Sequence, residues 1–175
     1  MTKRHNPPQE RTSKKGGKFL PALCNVLGTL ILLAVIALLI PLSVPRLMGY
    51  QVYNVISGSM APAIPVGSMI FVKPVDGSEV QPDEIIAFQS GDSVVTHRVL
   101  ENHVVEAEFI TKGDANADED LATIPYNSLI GQVRRHIPML GDIMMHVTTT
   151  VGKVYLLALV ACGLMFNILA SRLRV

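Results

Sequence analysis

Apolar and polar positions fall into three regimes along the chain. From Phe19 to Val44 no charged residue interrupts the apolar run. At 1.5 Å per residue that stretch is long enough to cross a bilayer core of about 30 Å. From Val154 to Ala170 runs a second apolar stretch, closed by Arg172 and Arg174. Between the two, apolar positions come in short alternating runs separated by Gly, Pro and acidic residues, the pattern of strands and turns. The runs Gly49–Ile56, Ser68–Val72, Glu84–Gln89 and Leu129–Arg134 each predict a strand. Ser93–Leu100 and Val104–Thr111 predict a hairpin whose turn is Glu101-Asn102-His103. Ile137 to Gly141 is expected to lead into the second apolar stretch. The expected organisation is a basic tail at 1–18, a transmembrane helix at 19–44, a mainly β domain at 45–150, a second transmembrane helix at 151–171 and a short tail at 172–175.

Charge adds an orientation. Residues 1–18 carry six Lys and Arg against Glu10, a formal +5. Residues 45–150 carry six basic and thirteen acidic side chains, a formal −7. The chain total of +1 hides this split. Short basic flanks stay on the cytoplasmic side, so both termini are expected inside and the β domain outside. The basic tail is assigned to topology rather than to nucleic acid because it adjoins a span. A cleaved signal peptide is the alternative for the first stretch. Its apolar part is too long for that, and no good Ala-x-Ala site follows it. Cys24 and Cys162 both fall in the apolar stretches, so no disulfide frames the β domain.

The stretch that can carry chemistry is Ser57-Gly58-Ser59-Met60-Ala61-Pro62, directly after a strand-like run. Such a corner presents a hydroxyl, although Ser-Gly-Ser is also the composition of a plain solvated turn. A hydroxyl nucleophile needs a base to take its proton. His97 lies within a predicted strand, which would hold an imidazole firmly; a satisfied core histidine is the other reading. His103 falls in the predicted turn, and His136 and His146 fall near the second apolar stretch. Lys73 and Lys112 are rival bases, but an exposed lysine with a pKa near 10.4 is protonated at neutral pH. Asp114, Asn116 and Asp118 match the first ligand positions of a calcium loop. Glu119 stands where that loop needs Gly and Pro125 where it needs Glu, so the reading fails. His97, His103, Glu106 and Glu108 match no zinc spacing. No metal or cofactor is expected.

Three motifs therefore stand in order: Ser-Gly-Ser-Met-Ala-Pro at 57–62, Thr-His-Arg-Val at 96–99, and Thr-Lys-Gly-Asp-Ala-Asn at 111–116 with Asp120 beyond. Together, after an N-terminal anchor, they resemble the type I signal peptidases, in the branch shared by the endoplasmic reticulum, archaea and some Gram-positive bacteria. The resemblance covers roughly residues 20 to 140. It implies a β-rich catalytic domain with a hydrophobic face resting on the membrane. It implies Ser59 as nucleophile, His97 as general base, and Asp114 and Asp120 as the two acidic positions, leaving open which of them orients His97. It implies Ser57 as the side-chain donor of an oxyanion hole completed by the Ser59 N–H. The implied substrates are secreted precursors that bear signal peptides, with small side chains one and three residues before the cut. Met48, Tyr50, Val52 and Met60 are candidates for the membrane-facing rim, with core packing as the alternative.

The second span suggests a plasma-membrane, multi-pass enzyme, and no motif indicates an obligate protein partner. Two rival readings remain at this stage. One is a self-cleaving repressor-like serine protease of the same superfold, against which two spans and His97 argue. The other is a membrane-anchored adaptor or assembly factor that retains the fold without cleaving.

Overall fold

A computed structural model of the chain describes residues 19–173. The basic tail at 1–18 and the final two residues lie outside the described residues. Two compact units divide the chain.

The first unit takes in residues up to Ile36 and from Leu156 onward. It holds most of helix α1 (Phe19–Leu47) and of the last helix, α3 (Thr150–Arg172). Phe19–Pro41 and Thr150–Arg172 are each 23 residues long and apolar enough to cross a membrane. They approach closely at two glycines: a Cβ on Gly28 would lie 2.6 Å from the Gly163 carbonyl oxygen. Close backbone approach at small residues is how helices pack where water supplies no driving force.

The second unit, residues 37–155, is the β domain. Here α1 continues through Pro41 and Pro45 to Leu47, beyond the expected end at 44. Among the described residues seven strands form one antiparallel sheet in the order β1-β2-β7-β3-β4-β5-β6. They are β1 (Gln51–Asn54), β2 (Met69–Lys73), β3 (Ile85–Ser90), β4 (Ser93–His103), β5 (Glu108–Lys112), β6 (Ile124–Pro125) and β7 (Leu129–Ile137). The mainly β class is as expected from the alternating runs. Met60, Ile64, Ile70, Val72 and Ala87 make one buried cluster. Val80, Ile86, Phe88, Val99 and Phe109 make a second, and Met69, Phe71 and Met144 a third.

Three expectations are corrected. The hairpin turn lies at 104–107, not at 101–103, because β4 runs to His103 and pairs Asn102 with Phe109 and His103 with Glu108. Val104 and Val105 read as strand by composition, yet they form the exposed tip. Asn102 is held by tertiary bonds instead: its amide donates to the Gly77 and Val80 carbonyls, and the Tyr126 hydroxyl donates to it. Second, residues Leu140–Thr148 form a separate helix, α2, where only an approach to the second span was expected. Third, Met60 is 2% exposed, so it belongs to the core and not to a membrane rim. Tyr50 and Val52 pack partly buried against the third cluster, while Met48 is exposed.

Candidate active site

The serine corner is the link between β1 and β2. Met60 and Ile64 wedge its middle into the first core cluster, and the Ile64 N–H donates to the Met60 carbonyl at 2.8 Å. The Val55 N–H donates to Ser68 O, and the Gly67 N–H to Val55 O, so the two ends of the link are tied together. Ser59 is thus attached to a buried anchor at the next residue. Gly58 does not take the left-handed backbone open to glycine. That conformation falls at Gly67, with φ of +80°.

His97 lies on β4 opposite Ile86 and is 8% exposed. Its ring meets the edge of Phe88, with centroids 6.1 Å apart. Its Nδ1 lies 2.6 Å from Asp120 Oδ2. The same carboxylate oxygen accepts from the Thr111 hydroxyl at 2.6 Å. Thr111 is fully buried on β5, and the Asp120 N–H donates to its carbonyl. Asp120 is therefore held by main chain and side chain together, and it leaves Nε2 as the free nitrogen of the ring. Among the described residues the Ser59 hydroxyl makes no hydrogen bond.

Asp114 goes elsewhere. It accepts from Arg98 Nε at 2.8 Å and from a terminal nitrogen of the same guanidinium at 2.7 Å, a two-point pair. Arg98 also donates to the Asp83 carbonyl. The Asp114 hydrogen bonds raise the Arg98 pKa above its ordinary value. Of the two acids left open by sequence, Asp120 meets His97 and Asp114 does not.

The loop from Gly113 to Asp120 connects these parts. The Ala115 N–H donates to the Ser59 carbonyl at 2.8 Å. Gly113 permits that approach by having no side chain: a Cβ there would lie 2.8 Å from Ser59 O. Its backbone is not left-handed, so its role is clearance. Lys112 turns its ammonium to the Ala117 carbonyl inside the same loop, where it donates. His103 pairs with Glu101 at 2.9 Å, and His146 Nδ1 lies 2.8 Å from the Asp142 carbonyl. No group of three or more His, Cys, Asp or Glu is arranged to hold a metal among the described residues.

Beside Ser59 lies a groove of about 470 Å³. Residues 53–57 form one wall, residues 93–96 the other, and Met60, Ile64 and Ile70 the floor. Ser57 is exposed and lines it. Both walls have a free backbone edge: β1 pairs only with β2, and β4 pairs with β5 only from Arg98 onward. Sequence reasoning missed Thr111 and Arg98 as supports for the site, although both stand inside its motifs. It also missed the groove walls, which sequence spacing does not bring together.

No family model matches the chain. Against curated proteins it is similar to Signal peptidase I W of Bacillus subtilis, 39% identical over 87 residues, 46% of this chain and 44% of that protein. It is also similar to Signal peptidase complex catalytic subunit SEC11 of Debaryomyces hansenii, 33% identical over 109 residues, 55% of this chain and 65% of that protein. The corresponding Candida albicans SEC11 is 30% identical over 125 residues, 65% of this chain and 75% of that protein. The matched segments thus span about half to three quarters of the curated relatives.

Proposed function

This chain belongs to the type I signal peptidase family, and on that premise we propose that it is a membrane-anchored serine endopeptidase that removes N-terminal signal peptides from exported precursors. The observation that carries the proposal is the loop 113–120, which bonds to the Ser59 carbonyl at one end and to His97 at the other. A hydrolase of this type needs nucleophile and base held by a shared rigid piece.

In the proposed reaction Ser59 Oγ attacks the scissile carbonyl carbon while its proton passes to His97 Nε2. Asp120 holds the imidazole with Nδ1–H toward it and stabilises the imidazolium that forms. The oxyanion is met by the Ser59 N–H and the Ser57 hydroxyl. Collapse expels the new N-terminal amine, which takes the proton from His97. Water then attacks the acyl-Ser59 ester with His97 again as base. Arg98 and Asp114 act as positioning residues that tie the loop to β4.

The substrate segment lies extended between the two free edges, adding backbone hydrogen bonds to each wall. The apolar floor of Ile64 and Ile70 favours small side chains beside the cut. The candidate spans support anchorage in the bilayer of the precursor, which confines enzyme and substrate to one thin layer. The proposed topology keeps the β domain outside the cytoplasm, at the plasma membrane, with both termini inside.

The test uses the purified full chain in detergent with a signal-peptide-bearing precursor. Cleavage after small residues, lost in Ser59→Ala, is the expected result. A folded wild-type chain that cuts nothing, alone or with membrane extract, would favour the adaptor reading. The yeast relatives are by name subunits of a complex, so the extract arm reports any need for a partner.

A further inference from the structure

A second groove, of about 390 Å³, lies at the end of α1, against the face of the sheet that carries Phe71. Ile40, Pro41, Val44 and Met48 form its helical side, with Phe71 and Arg135 among the residues opposite. The catalytic site described above uses none of these. A β-bulge decides which cation faces the groove. Val72 pairs with Val133 but Phe71 pairs with Arg135, so Arg134 is the extra residue. Arg135 and Ile137 therefore stand beside Phe71 and Met69 on the outer face, and Arg134 does not line the groove.

The charge here is unlike that of the rest of the domain. Residues 45–150 are formally −7, yet three of their six Lys and Arg, Arg46, Arg134 and Arg135, belong to or directly adjoin the segments that line this groove. Among the described residues none of the three makes an ion pair or a side-chain hydrogen bond, although thirteen acids are available. Depth points the same way. The candidate span ends at Pro41, and Pro45 to Met48 lie a turn or two beyond. At 1.5 Å per residue that is roughly 6–10 Å, the thickness of one headgroup layer. Met48, Met139, Ile143 and Met145 are exposed apolar side chains in the same unit.

We propose that this groove holds an anionic phospholipid, its acyl chain against Ile40, Val44 and Phe71 and its phosphate on the Arg135 guanidinium. The proposal rests on α1 as a span, but not on the catalytic reading. A guanidinium suits phosphate because its donors match two oxygens at once. A free phosphate would leave the apolar wall uncovered; a lipid covers both parts. The consequence is a fixed height and tilt for the β domain on a negatively charged leaflet.

The test places the full chain in nanodiscs of phosphatidylcholine mixed with phosphatidylglycerol and reads by native mass spectrometry which lipid stays bound after release into detergent. The wild type is expected to retain phosphatidylglycerol preferentially. Arg135→Gln should cut that preference about fivefold, the worth of one basic group at an anionic surface. Arg135→Lys, which keeps the charge but loses the two-point match, should lose less of it than Arg135→Gln, and Arg134→Gln should leave it unchanged. Equal retention of the two lipids by the wild type, or an unchanged preference in Arg135→Gln, overturns the proposal. Displacement of the lipid by a signal peptide that crosslinks to Arg135 overturns it in favour of a peptide site. Failure of the chain to enter the discs overturns the reading of α1 as a span, and the lipid site with it, while leaving the cleavage test above intact.

Discussion

Asp120 and His97 meet at 2.6 Å, through Oδ2 and Nδ1, while Asp114, six residues earlier on the same loop, faces Arg98. Two carboxylates of one acidic loop thus have different partners. Asp120→Asn removes the acceptor that sets the imidazole tautomer, and it should lower kcat by about 10²- to 10⁴-fold with the fold intact. Asp114→Asn breaks a partly exposed two-point pair, and it should cost about 1 kcal/mol of stability and a smaller part of kcat. Cleavage kinetics beside thermal unfolding of both variants check this. A larger kcat loss in Asp114→Asn than in Asp120→Asn would reverse the assignment.

Gly113→Ala tests the link between loop and serine corner. The added methyl would sit 2.8 Å from the Ser59 carbonyl, which the Ala115 N–H also binds. Either the loop or the corner must move, and a displacement on the order of 1 Å costs about 10²-fold in rate. The expected outcome is a loss of about that size in kcat/KM with little change in the melting temperature. Full activity in this variant would show that the loop does not position the corner.

His103 supplies a pH test that leaves the site alone. Its hydrogen bond with Glu101 raises its pKa, with further help from the charges of Glu101, Glu106 and Glu108. A group whose folded pKa is raised stabilises the fold fully below its unfolded pKa, and that contribution is lost as pH rises through the folded value. His103 is solvent-facing, so the effect on stability is small. The NMR titration of its ring should have a midpoint above about 6.5, and Glu101→Gln should bring it back toward that value. His103→Ala should leave the pH profile of cleavage unchanged. A shifted profile would place His103 in the reaction.

How far the sequence reveals this structure depends on the scale of the interaction. The uncharged runs at 19–44 and 154–170 and the alternation between them are local patterns, and both the long helices and the β class follow from them. Ser59, His97 and Asp114 are candidates because each stands in a short contiguous string, with Asp120 a few residues beyond the last one. The partner of each acid was not legible. Asp114 and Asp120 have the same chemistry, and only the path of the 113–120 loop across β4 brings one to Arg98 and the other to His97. The hairpin tip was misread for a similar reason. Val104 and Val105 have high strand propensity, whereas Asn102 is kept in the ladder by bonds to Gly77, Val80 and Tyr126, far away in sequence. Helix α2 was hidden because its apolar residues merge into the run that precedes the second span. The groove beside Ser59 is lined from both β1 and β4, which are not neighbours in the sheet, and no local pattern records that.

Cleavage by a double-mutant set reads the Ser59–His97 partnership most directly. kcat/KM is measured on one precursor for wild type, Ser59→Ala, His97→Ala and the two changes together. If His97 serves only to take and return the Ser59 proton, each single change should cost at least about 10³-fold, and the double variant should be no slower than either. Losses that multiply in the double variant, or a His97→Ala enzyme that still cuts at near wild-type rate, would contradict that partnership.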